Sequence, residues 1–106
     1  MQTTIRSNDF ALTDALESFI KQLVNQSMKV RSNKIESLVV RLKDINDPQY
    51  DKECSVEVKL VQHAPIIVSK RSTDAYASIR SALSRASGVT LRRAGKRRGR
   101  KGRMPM

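Results

Sequence analysis

The sequence predicts an α+β fold of order β-α-β-β-β-α, with a four-stranded sheet, two helices on one of its faces and a disordered basic C-terminal tail. Three observations carry this. Two stretches repeat their apolar residues at three-to-four spacing, two stretches between them alternate and a third apolar one follows, and short turn sequences join these three. A chain of 106 residues forms one domain whose core needs no covalent staples.

Taken in order, Gln2–Arg6 is a short strand. The period then changes. Thr13 offers an N-cap oxygen, Asp14 and Glu17 sit in the first turn where the helix dipole favours anions, and Asp9 lies in the approach. Ala15, Leu16, Phe19, Ile20, Leu23 and Val24 make one apolar stripe, Met28 extends it, and the helix is expected to run to about Val30. IESLVVRLKDI switches to period two, with Leu38, Val40 and Leu42 on one side and Val39, Arg41 and Lys43 on the other. NDPQYDK, with Pro48, is a turn. CSVEVKLV sends Cys54, Val56, Val58 and Leu60 inward and Ser55, Glu57 and Lys59 outward; QHAP turns again, and IIVSKR is the next strand.

Helix punctuation then returns. Ser72 or Thr73 is the expected N-cap, Asp74 falls in the first turn, and Tyr76, Ile79, Leu83 and Ala86 form the stripe. Gly88, followed by β-branched Val89 and Thr90, is expected to end or fray this helix. Ala77, Ser78, Ser81, Ser84 and Arg85 would be its outward face. The three consecutive strands form an antiparallel meander. The first strand, reached through a helix, should lie parallel to a neighbour.

Charge divides the chain unevenly. Residues 1–57 hold eight basic and nine acidic residues, whereas residues 58–106 hold thirteen basic residues and one acid, Asp74. Eight of those cations stand in the closing LRRAGKRRGRKGRMPM: Arg92, Arg93, Lys96, Arg97, Arg98, Arg100, Lys101 and Arg103. That segment has too little apolar surface to offset its ordering entropy, so residues 1–90 read as a folded domain and 91–106 as a disordered interaction tail.

Nothing in the sequence assembles a catalytic or metal site. His63, the only histidine, lies in a turn without partners. Cys54 is a lone cysteine in an alternating strand, which fits a buried thiol and a reducing cytoplasm. Gly88 and Gly95-Lys96 have the wrong spacing for a phosphate loop. No apolar run reaches the ~20 residues of a spanning helix, and MQTTIRSNDF lacks the apolar core of a signal peptide. Tyr76 reads as core and Tyr50 as a loop residue; with four aromatics in all, base stacking has little support. No catalytic residue, metal, cofactor, small-molecule substrate or membrane contact is therefore expected.

The basic residues stand out instead. Lys70 and Arg71 at the entrance of the second helix, Arg80 and Arg85 on it and the tail beyond form a continuous cationic group, the footprint of a nucleic-acid contact. Lys21 and Lys52 stand outside it and take no role.

QTTIRSNDFALTDALESFI, IESLVVRLK and STDAYASIRSALSR together resemble the short ribosome hibernation-promoting factors, also called ribosome-associated inhibitor or sigma-54 modulation proteins. Thr13, Ala15 and Leu16 match that family's first helix start, and Asp74, Tyr76, Ala77 and Ile79 much of its second; the likeness spans about residues 2–87. It implies a translation-inhibiting factor that binds the small ribosomal subunit and its rRNA near the decoding centre in stationary phase. Arg85 falls on a basic family position. Ala75 replaces a usual Met, Arg80 stands where the family has an acid or amide, and Gly88 where it often has Arg. Leu23 and Gln26 occupy frequent lysine positions. The dimerisation domain of long members has no counterpart here, which implies that this chain would pair ribosomes only with another factor's help; a monomer is expected. Two alternatives stay open: a double-stranded or structured RNA-binding domain without ribosome specificity, and a protein-interaction module with a solubilising tail.

Overall fold

The computed structural model describes residues 2–7, 12–28, 34–45 and 48–102, with side chains described as far as Arg93. Its elements are β1 (Gln2–Ser7), α1 (Asp14–Met28), β2 (Ile35–Asp44), β3 (Lys52–Leu60), β4 (Ile66–Ser72) and α2 (Ala75–Gly102). The expectations for Asp9 and Val30 lie outside the described residues.

The four strands form one sheet in the order β1-β2-β3-β4. β1 runs parallel to β2, with Ile5 opposite Val40, and the β2-β3 and β3-β4 pairs are antiparallel. A parallel neighbour requires a crossover connection, and α1 is that crossover. The β2-β3 turn is closed by Ile45 N–H donating to the Asp51 carbonyl at 2.9 Å. The β3-β4 turn holds Gln62 at a φ of 64°, the left-handed conformation a tight reversal demands.

Alternation puts most of the apolar side chains of the sheet on one face, and both helices cover it. Leu38, Val40, Leu42, Cys54, Val56 and Val58 join Leu16, Ile20, Val24 and Met28 of α1 and Ile79, Ala82, Leu83 and Ala86 of α2 in one buried cluster. Thr13 caps α1 as expected: its Oγ1 accepts from Leu16 N–H at 3.1 Å. Ala15, expected on the stripe, is exposed at its edge.

α2 departs from expectation at four points. Its N-cap is Asp74, whose Oδ1 accepts from Tyr76 N–H at 3.2 Å, while Ser72 Oγ accepts from Asp74 N–H one turn earlier. Ser78, expected outward, is fully buried, because it lies beside Ile79 on the stripe and donates to the Ala75 carbonyl at 2.9 Å. Tyr76, expected in the core, is 39% exposed; it sits in the first turn and overhangs Phe19 of α1 instead of the sheet.

Nor does the helix end at Gly88. It continues through Leu91, Arg92 and Arg93, the first residues of the segment expected to be disordered. The stripe of Ile79, Ala82, Leu83 and Ala86 extends to half-buried Val89 and to Thr90 at 1% exposure. Burial of that extra turn outweighs the ~1 kcal/mol helix penalty of one glycine. Ser87 adds a tether: its Oγ donates to the Ser27 carbonyl at 2.7 Å, satisfying a carbonyl in the last turn of α1.

Candidate nucleic-acid interface

The site is built where α2 crosses the β4 edge of the sheet. On β4, Lys70 is the register partner of buried Cys54, so it rises on the helix-covered face. Because β4 is an edge strand, Lys70 emerges beside α2 and lines the same groove as Arg85. The two share an open groove of about 550 Å³ with Val68, Val89 and Arg93. They also border a second, shallower hollow of about 510 Å³ with Ala77, Arg80, Ser81 and Ser84. Arg85, Val89 and Arg93 are spaced by four residues, one above another on the helix.

Neither groove is lined by an acid. Among the described residues, the ion pairs at Lys21, Arg41, Lys52 and Arg71 leave Lys70, Arg80, Arg85, Arg92 and Arg93 without a carboxylate. Small side chains at 77, 81 and 84 let a polyanion approach the helix backbone closely. The surface suits phosphates held by charge and shape.

Arg71 does not join this group. As Lys70's neighbour on a strand it points to the opposite face, where its Nε lies 3.3 Å from Glu53 Oε2. Period two separates what adjacency in sequence seemed to unite. Arg92 is exposed, and its Nη1 lies 3.7 Å from where a Cβ on Gly88 would be. The side chains of Lys96, Arg97, Arg98, Arg100 and Lys101, and Arg103 altogether, lie outside the described residues.

Phe19 is the participant that the sequence reading placed only in the core. It is half-buried at the α1-α2 seam, with the Tyr76 ring edge-on at 4.8 Å and the Arg80 guanidinium carbon 5.4 Å from its ring centre. Its position at the flank of the α1 stripe was the available signal. Cys54 is inert: burial, reinforced by the charge of Glu53, pushes its thiol up to about 12. Lys52 is occupied by Asp44 at 2.7 Å, a hydrogen bond that raises its pKa.

Fold and surface together define a small basic α+β module with a helix-borne cationic face. Among the described residues no group of His, Cys, Asp and Glu could hold a metal, and no helix is long and apolar enough to cross a membrane. The family model described as sigma 54 modulation protein / S30EA ribosomal protein matches residues 3–98, and the chain belongs to that family. Its members are ribosome-associated, non-enzymatic factors. No curated protein sequence matches the chain. The Protein Y N-terminal domain of Thermus thermophilus is similar in fold, at 18% identity and a TM-score of 0.72, over 87% of this chain and 98% of that one. A ribosomal subunit interface protein from Coxiella burnetii is similar too, at 15% identity and a TM-score of 0.76, over 90% of this chain and 99% of that one. A double-stranded-RNA-binding domain begins with a helix; here β1 precedes α1 and pairs in the sheet.

Proposed function

We propose that this protein silences ribosomes by binding the small subunit through its rRNA near the decoding centre, acting as a cytoplasmic monomer. The observation that carries the reading is the acid-free cationic surface of Lys70 on β4 with Arg80, Arg85 and Arg93 along α2, on a chain of a ribosome-associated family. Phosphate contacts anchor and orient the domain, and the shape of the subunit cleft selects it, since folded RNA is recognised largely by shape and backbone. The basic segment 91–106 adds further phosphate contacts without reading sequence. An occupied decoding site excludes messenger and transfer RNA.

The test is a competition of small subunits against bulk RNA, with a translation assay alongside. Preferential binding to the subunit and inhibition of translation are expected. Equal affinity for any structured RNA would replace this reading with a general RNA-binding one. Salt-independent association with a protein partner would replace it with an interaction module.

A further inference from the structure

We infer that Arg80, held over Phe19 and flanked by Tyr76, is a stacking platform for one unpaired base of single-stranded RNA; this rests on the RNA-binding reading above. Two aromatic rings and one guanidinium converge here from two helices. The Phe19 ring lies 4.8 Å from that of Tyr76 at 69°, and the Arg80 guanidinium carbon stands 5.4 Å from the Phe19 centre. Phe19 is anchored against the core, while Tyr76 is 39% exposed and Arg80 is exposed as well.

Core packing accounts for Phe19 but not for the other two. A tyrosine turned out of the core leaves apolar ring surface in water, and a surface cation–π contact returns only about 0.5–1 kcal/mol. What the arrangement does achieve is preorganisation. A free arginine surrenders rotamer entropy when it stacks, whereas one already resting on a ring has lost part of it beforehand. Guanidinium planes and aromatic rings are the groups on which unpaired RNA bases stack, whatever the base.

The platform also lies in the right place. Arg80 lines the hollow shared with Lys70, Ser84 and Arg85, so it belongs both to the phosphate-facing surface and to the seam. A strand with phosphates on Lys70 and Arg85 can turn a base outward over Arg80 and Tyr76. A-form duplex cannot, because its bases are stacked and its deep groove is closed to side chains. The ligand class is a single-stranded or bulged nucleotide.

Arg80→Lys keeps the charge and removes the plane. The full-length protein is titrated with a short unstructured RNA oligomer carrying 2-aminopurine, and separately with a duplex of the same length. The variant is expected to lose about five- to tenfold in affinity for the single strand, as loss of one stack implies. Its salt slope should be unchanged, because the number of phosphate contacts is kept. Its affinity for the duplex should equal that of the wild type, and the fluorescence change of 2-aminopurine on binding should shrink. Phe19→Leu, which keeps the apolar core contact, should reproduce the loss. Equal single-strand affinity in wild type and Arg80→Lys overturns the platform, as does an equal loss on duplex, which makes Arg80 a phosphate contact alone. Wild-type protein that binds neither RNA overturns the RNA reading itself.

Discussion

Arginines on the two faces of the protein are used in different ways. On the open face of the sheet, Arg41 lies 3.4 Å from Glu57 and Arg71 lies 3.3 Å from Glu53, each cation tied to an acid on the neighbouring strand. On the helical face, Lys70, Arg80 and Arg85 border grooves lined by no acid. The contrast separates structural charge from available charge. Exposed cross-strand pairs contribute roughly 0.2–1 kcal/mol each to the sheet and present little net field. Unopposed cations add their potentials and attract a polyanion.

The largest effect expected from this contrast comes from reversing charge on each face in turn. Arg80→Glu with Arg85→Glu should weaken binding to the small subunit by on the order of 100-fold, since each charged hydrogen bond contributes about 1.5–3 kcal/mol. Arg41→Glu with Arg71→Glu should change it by less than about threefold after correction for stability. Equal losses in a filter-binding assay would erase the distinction between the faces.

A smaller effect should follow removal of residues 94–106. The truncation leaves the described packing of Val89 and Thr90 intact, so thermal stability should hardly move. If about four of its six cations engage phosphates, the slope of log affinity on log salt becomes shallower by about three. An unchanged slope would assign the whole electrostatic contribution to the helical face.

Between the two faces, Cys54 makes the core sensitive to alkali. Its folded pKa of about 12 lies above the value for an unfolded chain, so the unfolded state releases its proton first. Stability contributed this way is present below the unfolded pKa and declines as pH rises towards 12, by up to ~1.4 kcal/mol per unit. Denaturant titrations of wild type and Cys54→Ala between pH 8 and about 11 should diverge in slope. Parallel curves would show that the thiol is more accessible than its burial suggests.

The smallest expected effect tests the continuity of α2. A Cβ at Gly88 would meet only Arg92 Nη1 at 3.7 Å, an ordinary contact. Gly88→Ala should therefore stabilise the protein by about 0.5–1 kcal/mol, read as a raised denaturation midpoint. A glycine that truly ended the helix in a left-handed conformation would give the opposite sign.

Much of this molecule was legible before any coordinates. Alternation at Leu38, Val40, Leu42, Cys54, Val56 and Val58 marked the buried face of the sheet, since side chains on a strand can only alternate. The spacing of Leu16, Ile20 and Val24 and of Ile79, Leu83 and Ala86 marked both helix stripes for the same kind of geometric reason. The clustering of cations in the second half of the chain, with Asp74 the lone acid there, marked where the excess positive charge falls. These are local regularities, fixed by backbone period and by composition.

What tertiary structure alone decided depends on neighbours distant in sequence. Gly88 carries a breaking propensity in isolation, yet Val89 and Thr90 find buried positions one turn further, and a propensity of about 1 kcal/mol yields to that burial. Asp74 took the cap from Ser72 and Thr73 because the turn out of β4 placed its carboxylate, not a hydroxyl, at the Tyr76 N–H. Lys70 and Arg71 were one group in sequence and fall on opposite faces, because the strand continues through both. Phe19 and Arg80 are 61 residues apart in sequence and meet only because α1 and α2 pack side by side on the same face of the sheet. No local period can specify which flank residues of two helices will touch; that is determined by how the helices sit together over a shared core.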